Sequence, residues 1–123
     1  EEQYPLSVPG EVFLPYFHKK AYAYIGNAPD KELPANGMEL VLPLRFSRDL
    51  YFRTRKAGDT FSPCGMQGRK KLKEYFIDEK IPIKERNQIP LLFAGEELLW
   101  IPGKRRSALT QSAQEKVIWV SIR

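Results

Sequence analysis

Cysteine and histidine occur once each in this 123-residue chain, as Cys64 and His18. A lone cysteine forms no internal disulfide. With the two residues 46 positions apart, no zinc site of ordinary ligand spacing can be assembled, so a metal site would need unusual ligands. No apolar run approaches the roughly 18 residues of a membrane span. Glu1, Glu2, Pro5 and Pro9 interrupt the stretch where a charged-then-apolar signal segment would lie. The expectation is a cytoplasmic protein, or a piece of one, with no membrane partner. Internal repeats, low-complexity tracts and a convincing linker are also missing, so residues 1–123 are read as one domain. With 42% hydrophobic and 28% charged residues, that domain has the composition of a folded protein with one modest core.

Charge is present and unevenly placed. The net of +5 divides into −2 over residues 1–52, five Lys/Arg against seven Asp/Glu, and +7 over residues 53–123, fifteen against eight. A field of one sign on part of a surface argues for an anionic partner, nucleic acid first and acidic membrane second.

The pattern of side chains predicts an α+β domain with more strand than helix. Short strands are expected between Val8 and Pro15, over Ala21–Ile25, and over Met38–Phe46, where Leu40, Leu42 and Leu44 share a face and Pro43 marks an edge or bulge. Ala28–Gly37, with two prolines, a glycine and an asparagine, is a loop. Leu50–Arg55 alternates, which would bury one face and project Arg53 and Arg55 together from the other. Lys56–Gly68 carries three glycines and a proline, too punctuated for a regular element, and is expected to be either disordered or functional. Arg69–Glu79 reads as a helix with Leu72, Tyr75 and Phe76 on its apolar face and Pro82 as its stop. A helical turn follows over Lys84–Gln88, then a hairpin of Leu91–Ala94 with Leu98–Ile101, and a last strand over Val117–Ile122.

Little in the chain demands catalysis. Cys64 and His18 are the only thiol and imidazole, and a small residue in a Gly/Pro loop and a solvated turn explain them without chemistry. The phosphate-loop pattern G-x-x-x-x-G-K-[ST] is not met, and Asp78 and Glu79, adjacent on a helix, point in different directions and make no acid/base pair. The basic constellation is stronger. Arg53, Arg55, Lys56, Arg69, Lys70, Lys71 and Lys73 stand against Asp59 alone within 21 residues. Three of these cations fall in the first turn of the expected helix, against its dipole, which a phosphate docked at that terminus and on the glycine loop would explain. Arg86 and the cluster Lys104-Arg105-Arg106 add to it. Aromatics interleave with these charges, and rings can stack on unpaired bases, but most fall on the apolar faces of their elements. Phe61, inside the loop, is the best candidate exception. A mode that tracks the phosphates of a duplex therefore fits best. A structural or dimerisation module whose charges only solvate it, and a small enzyme built on Cys64, are the competing readings.

The series Arg53-x-Arg55-x-x-Gly58-Asp59-x-Phe61-x-Pro63, Gly65-Met66-x-Gly68-x-Lys70-Lys71-Leu72-Lys73, Ile77-Asp78-x-Lys80-Ile81-Pro82, Arg86, Pro90-Leu91-Leu92 and Leu99-Trp100-Ile101-Pro102-Gly103 resembles the C-terminal domain of bacterial tRNA(Ile)-lysidine synthase. The likeness is dense over residues 50–106 and looser before them. It implies a strand-rich sandwich with flanking helices, like the domain shared with the phenylalanyl-tRNA synthetase beta chain. It also implies a parent ligase that attaches lysine to the wobble cytidine of a minor isoleucine tRNA through an adenylate. That chemistry, with ATP and Mg, belongs to an N-terminal catalytic domain carrying an S-G-G-x-D-S loop, and no such loop exists here, so this chain is expected to be non-catalytic alone. The implied partners are the tRNA(Ile) acceptor stem and that catalytic domain, with a homodimer left open. Carried onto this sequence, the implied RNA contacts are Arg53, Arg55, Lys70, Lys71, Lys73, Arg86 and Arg106, with Gly58, Gly65 and Gly68 shaping the loop. Charge alone adds Lys56, Arg69 and Arg105, and Asp59 is expected to hold the loop by accepting backbone N–H bonds.

Overall fold

A computed structural model describes residues 2–123. Its centre is formed by the two nearly unbroken apolar runs of the sequence. Short continuous runs of this kind suit strands buried on both faces. Thirteen residue spans define the architecture among the described residues: strands β1 (Tyr4–Pro5), β2 (Gly10–Leu14), β3 (Lys19–Asn27), β4 (Glu39–Leu42), β5 (Leu50–Arg53), β6 (Thr60–Phe61), β7 (Lys70–Lys71), β8 (Leu91–Ala94), β9 (Glu97–Ile101), β10 (Arg105–Arg106) and β11 (Lys116–Ile122), with helices α1 (Leu72–Asp78) and α2 (Ile83–Arg86). Single 3-10 turns cover Leu44–Phe46 and Ala108–Thr110.

One antiparallel sheet has the order β1-β5-β8-β9-β10 and the other β2-β3-β11-β4, while β6 and β7 form a separate two-stranded ribbon. The sheets face each other over a core that includes Leu42, Phe52, Leu92, Trp100, Ile118 and Val120. On its opposite face the five-stranded sheet packs through Leu91, Phe93, Leu98 and Ile101 against Leu72, Tyr75, Phe76 and Ile81. The molecule thus has three layers, sheet, sheet and helices, in agreement with the α+β sandwich with flanking helices. Strand β9 serves both sides by a bulge. Leu92 pairs with Trp100 and Phe93 with Leu98, so Leu99 is the extra residue, and Leu99 and Trp100 both turn toward the other sheet. Among the described residues no helix is long and apolar enough to cross a membrane.

Several expectations need correction. The strand expected over Met38–Phe46 stops at Leu42, because Pro43 lacks the N–H to continue the ladder and opens a 3-10 turn; β4 is an edge strand, where a proline is tolerated. The Lys56–Gly68 segment, expected to hold no regular element, contains strand β6 and is tied down along its length. Thr60–Phe61 pairs with Lys70–Lys71, and Cys64 N–H and Ala108 N–H tie the loop to Arg106 and Ser62 carbonyls at 2.9 and 2.7 Å. Phe61 is buried at 1% exposure, edge-on to Tyr75 with centroids 5.4 Å apart, and offers no ring to a base. The helix is also shorter than Arg69–Glu79. Ribbon pairing holds Lys70 and Lys71 in extended backbone, so none of Arg69, Lys70 and Lys71 lies in the first helical turn. The dipole argument for a phosphate at that terminus falls with them.

The other end of α1 closes before Pro82. Lys80 N–H donates to the Ile77 carbonyl and Ile81 N–H to the Phe76 carbonyl, both at 3.0 Å, with Lys80 at φ 55° and Ile81 buried beside Phe76. This is a Schellman closure carried by a lysine where glycine is favoured. Lys80→Gly is expected to stabilise the domain by about 0.5–1 kcal/mol by relieving the left-handed backbone, read as a higher midpoint in urea unfolding. An unchanged or lower midpoint contradicts that role. Trp100→Ala, by contrast, empties a site 1% exposed between the sheets and is expected to cost roughly 3–5 kcal/mol in the same assay.

Candidate nucleic-acid interface

Strand alternation sends Arg53 to the helix side of β5, together with Tyr51 and away from Phe52. That side is covered by the second core, so Arg53 is 8% exposed and does not project into solvent with Arg55. Its guanidinium carbon lies 3.9 Å from the Phe93 ring centroid. Its terminal nitrogens grip Asp59 two-fold, Nη1 donating to Oδ2 at 3.0 Å and Nη2 to Oδ1 at 2.9 Å, and Nη1 also donates to the Thr54 carbonyl at 3.0 Å. The Asp59 hydrogen bonds, opposed by burial, hold the Arg53 guanidinium above its ordinary pKa, so the charge is permanent. A cation so enclosed serves structure before any ligand.

Asp59 in turn moors the loop. Its Oδ2 accepts from Lys56 N–H at 2.8 Å, as expected of a turn aspartate, and its carbonyl accepts from Leu72 N–H at 2.9 Å. Between these contacts Gly58 sits at φ 88°, a left-handed conformation that a side chain would strain. Gly65 and Gly68, also expected to shape the loop, have positive φ as well. The loop is therefore pinned from strand β5 at one end and from the start of α1 at the other.

The pinned loop forms one wall of a cleft of about 620 Å³ lined by Arg55, Lys56, Ala57, Gly58, Asp59, Lys71, Leu72, Lys73 and Asn87. Four cations converge there, and the one carboxylate in the lining is the one Arg53 already grips. Lys71 ends the ribbon and Lys73 is the second residue of α1, both exposed, and ribbon and helix meet at a shared corner. Of the residues singled out by sequence, the structure brings Arg55, Lys56, Lys71 and Lys73 together.

The remaining basic residues are engaged elsewhere. Arg69 Nε donates to Thr60 Oγ1 at 2.8 Å and its guanidinium lies 3.6 Å from Glu97, while Lys70 pairs with Asp78. Arg86 Nε donates to the Ile81 carbonyl, fastening α2 to the end of α1. Arg105 Nη1 donates to the Cys64 carbonyl at 3.3 Å. Arg106, with its side chain 15% exposed, pairs with Glu32, and Lys104 pairs with Glu85 at 3.2 Å. The acidic partners come from chain positions 8 to 74 residues away, a distance that makes such pairs illegible in a local charge count. Asn87 is the cleft residue that sequence reasoning missed. As a neutral residue after a short helix it gave no signal. Among the described residues no group of three or more His, Cys, Asp or Glu side chains is placed to hold a metal ion.

The chain matches the family model described as "TilS substrate C-terminal domain" over residues 50–122. It is 37% identical over 106 residues to the tRNA(Ile)-lysidine synthase of Symbiobacterium thermophilum, covering 84% of this chain and 22% of that protein. To the enzyme of the same name from Caldanaerobacter subterraneus subsp. tengcongensis it is 54% identical over 59 residues, 48% of this chain and 13% of the relative. The chain therefore spans less than a quarter of the length of these curated relatives. A solved structure, described as the crystal structure of the TILS C-terminal domain, superposes with a TM-score of 0.83 at 32% identity, covering 99% of this chain and 95% of the other. That overlap extends the likeness to the described residues before position 50, where the sequence motifs were loose. By family match, by sequence and by fold, the chain belongs to the C-terminal substrate domain family of tRNA(Ile)-lysidine synthase.

Proposed function

We propose that this chain is the tRNA-recognising domain of a tRNA(Ile)-lysidine synthase and that it docks the acceptor stem of the isoleucine tRNA through phosphate contacts in the Arg55–Lys56–Lys71–Lys73 cleft. The observation that carries the reading is the convergence of four cations on a cleft whose single carboxylate is neutralised internally. A duplex RNA backbone meets such a site with phosphates at regular spacing, and A-form helices are read mainly by shape and backbone. In this reading the adenylation of the wobble cytidine and the attack of lysine, with ATP and Mg, take place on the N-terminal catalytic part of a cytoplasmic enzyme. The present domain contributes binding energy and orientation to that reaction and no reacting group.

One observation favours a second reading, a module that joins protein to protein. The outer face of the four-stranded sheet presents Tyr24, 43% exposed, parallel to Trp119 with centroids 6.3 Å apart, and, farther along the same face opposite Lys20, Phe13, 50% exposed. Charges on that face largely cancel, with Lys20 paired to Glu11. Self-association that strengthens with concentration and ignores salt is the signature of this reading in sedimentation experiments.

The test of the main reading is a titration of the chain against the isoleucine acceptor-stem duplex and an unrelated duplex of equal length at several salt concentrations. Four phosphate contacts on a duplex predict a slope of log K against log salt of about −3.6, and a preference for the isoleucine stem adds selection. Folded protein that binds neither duplex overturns the proposal. Lys71→Glu with Lys73→Glu is expected to weaken binding at least tenfold at low salt without loss of folding, whereas Lys104→Glu, outside the cleft, is expected to change it little. Asp59→Ala is expected to act on both levels. It leaves Arg53 buried without its partner, at a cost of roughly 3 kcal/mol or more, and it releases the loop, so stability and affinity fall together. A variant of full stability separates the mooring from the fold and contradicts this account.

A further inference from the structure

Arg55 carries five N–H donors in a rigid planar fork. One is committed, since Nε donates to Asn87 Oδ1 at 3.0 Å. The guanidinium carbon also stands 5.8 Å from the centroid of the Phe76 ring, within the range of a cation–π contact, so the fork is held from a second side. Among the described residues Nη1 and Nη2 of Arg55 donate to no protein carboxylate or carbonyl. The nearest carboxylate of the cleft lining, Asp59, has both oxygens taken by Arg53 and one also by the Lys56 N–H. An arginine tethered at Nε, with its terminal pair left over in a cleft of cations, has the geometry that binds one phosphate through two parallel hydrogen bonds.

Asn87 is itself fixed by backbone. It caps the C-terminus of α2, its N–H donating to the Ile83 carbonyl at 3.1 Å, with φ −77° and ψ −10°. Helix α2 is only four residues long and buries none of its side chains, so it contributes little to the core. What it does is carry Asn87 across 32 positions of sequence to the edge of the cleft, opposite the loop that holds Arg55.

We infer that Asn87 is a positioning residue of the cleft, which aims the Arg55 fork at a single backbone phosphate while Lys56, Lys71 and Lys73 supply the surrounding field; the inference rests on the RNA-binding reading of the cleft. It separates two kinds of contribution. Lysines act as flexible point charges whose loss lowers affinity in proportion to salt release. Asn87 acts through the orientation of Arg55 and changes no charge.

The test is a double-mutant cycle on the 123-residue chain, read as affinity for the isoleucine acceptor-stem duplex at fixed low salt. Asn87→Ala is expected to weaken binding about fivefold and Arg55→Ala tenfold or more, while the double variant binds no worse than Arg55→Ala alone, because Asn87 has nothing left to position. Arg55→Lys, which keeps the charge but lacks Nε, is expected to be equally indifferent to Asn87→Ala. Effects that multiply in the double variant, or an Asn87→Ala protein that binds as the parent does, overturn the inference. Asn87→Leu, close in volume and free of hydrogen bonds, must reproduce the alanine result, and thermal unfolding of each variant keeps a folding defect from passing as lost binding. A parent chain that binds no RNA removes the reading beneath the inference and with it the inference. A parent that binds, with multiplying single effects, removes the inference alone.

Discussion

A sheet covered on both faces has no room for an unpaired charge, and the five-stranded sheet is such a sheet. Its upper face meets the second sheet and its lower face meets the helices. Among the described residues Arg53, at the end of β5, is the one buried charged side chain, and it is tolerated in that enclosure because Asp59 supplies a matched two-point partner. Removing two charges from water is expensive unless geometry and further hydrogen bonds compensate. Here the Thr54 carbonyl and the Phe93 ring complete the arginine's surroundings, and the Lys56 N–H completes the aspartate's.

From that single pairing the rest of the candidate interface is assembled. Asp59 is fixed relative to the sheet, so the loop from Lys56 to Asp59 is fixed, and the start of α1 is tied to the same residue through Leu72. Arg55 and Lys56 arrive from one side, Lys71 and Lys73 from the other, and α2 brings Asn87 to the rim. The ion pair also removes the cleft's own negative charge. Among the described residues Arg55, Lys71 and Lys73 face no carboxylate partner and keep their field for an external anion, whereas the pairs Lys70–Asp78, Lys104–Glu85 and Arg106–Glu32 hold theirs internally. The net charge of +7 over residues 53–123 thus overstates the surface available to a phosphate.

Much of the fold was legible because its signals are local. The apolar runs around Leu91 and Leu98, the alternation over Val117–Ile122 and the turn at Gly95-Glu96 all produce the strands they predict. What local pattern could not show was the number of layers. Alternation in Leu50–Arg53 is compatible with a solvated face, and only the helices on the far side turn Arg53 from a surface contact into a buried strut. The same limit moved Lys70 and Lys71. Helical spacing of Leu72, Tyr75 and Phe76 was correct, but pairing with Thr60–Phe61, ten residues upstream, keeps Lys70 and Lys71 extended, so the helix begins only at Leu72. In the site, the glycines and Asp59 were readable as loop chemistry. The division of basic residues into convergent and neutralised sets depends on partners distant in sequence, and Asn87 has a role only through Arg55.

The most direct test of the account is the map of backbone amide shifts in this chain on addition of the isoleucine acceptor-stem duplex. Perturbations confined to residues 55–59, 71–73 and 87 are predicted, collapsing as salt rises. Shifts centred instead on the outer face of the four-stranded sheet, around Tyr24 and Trp119, with the cleft unmoved, would contradict it.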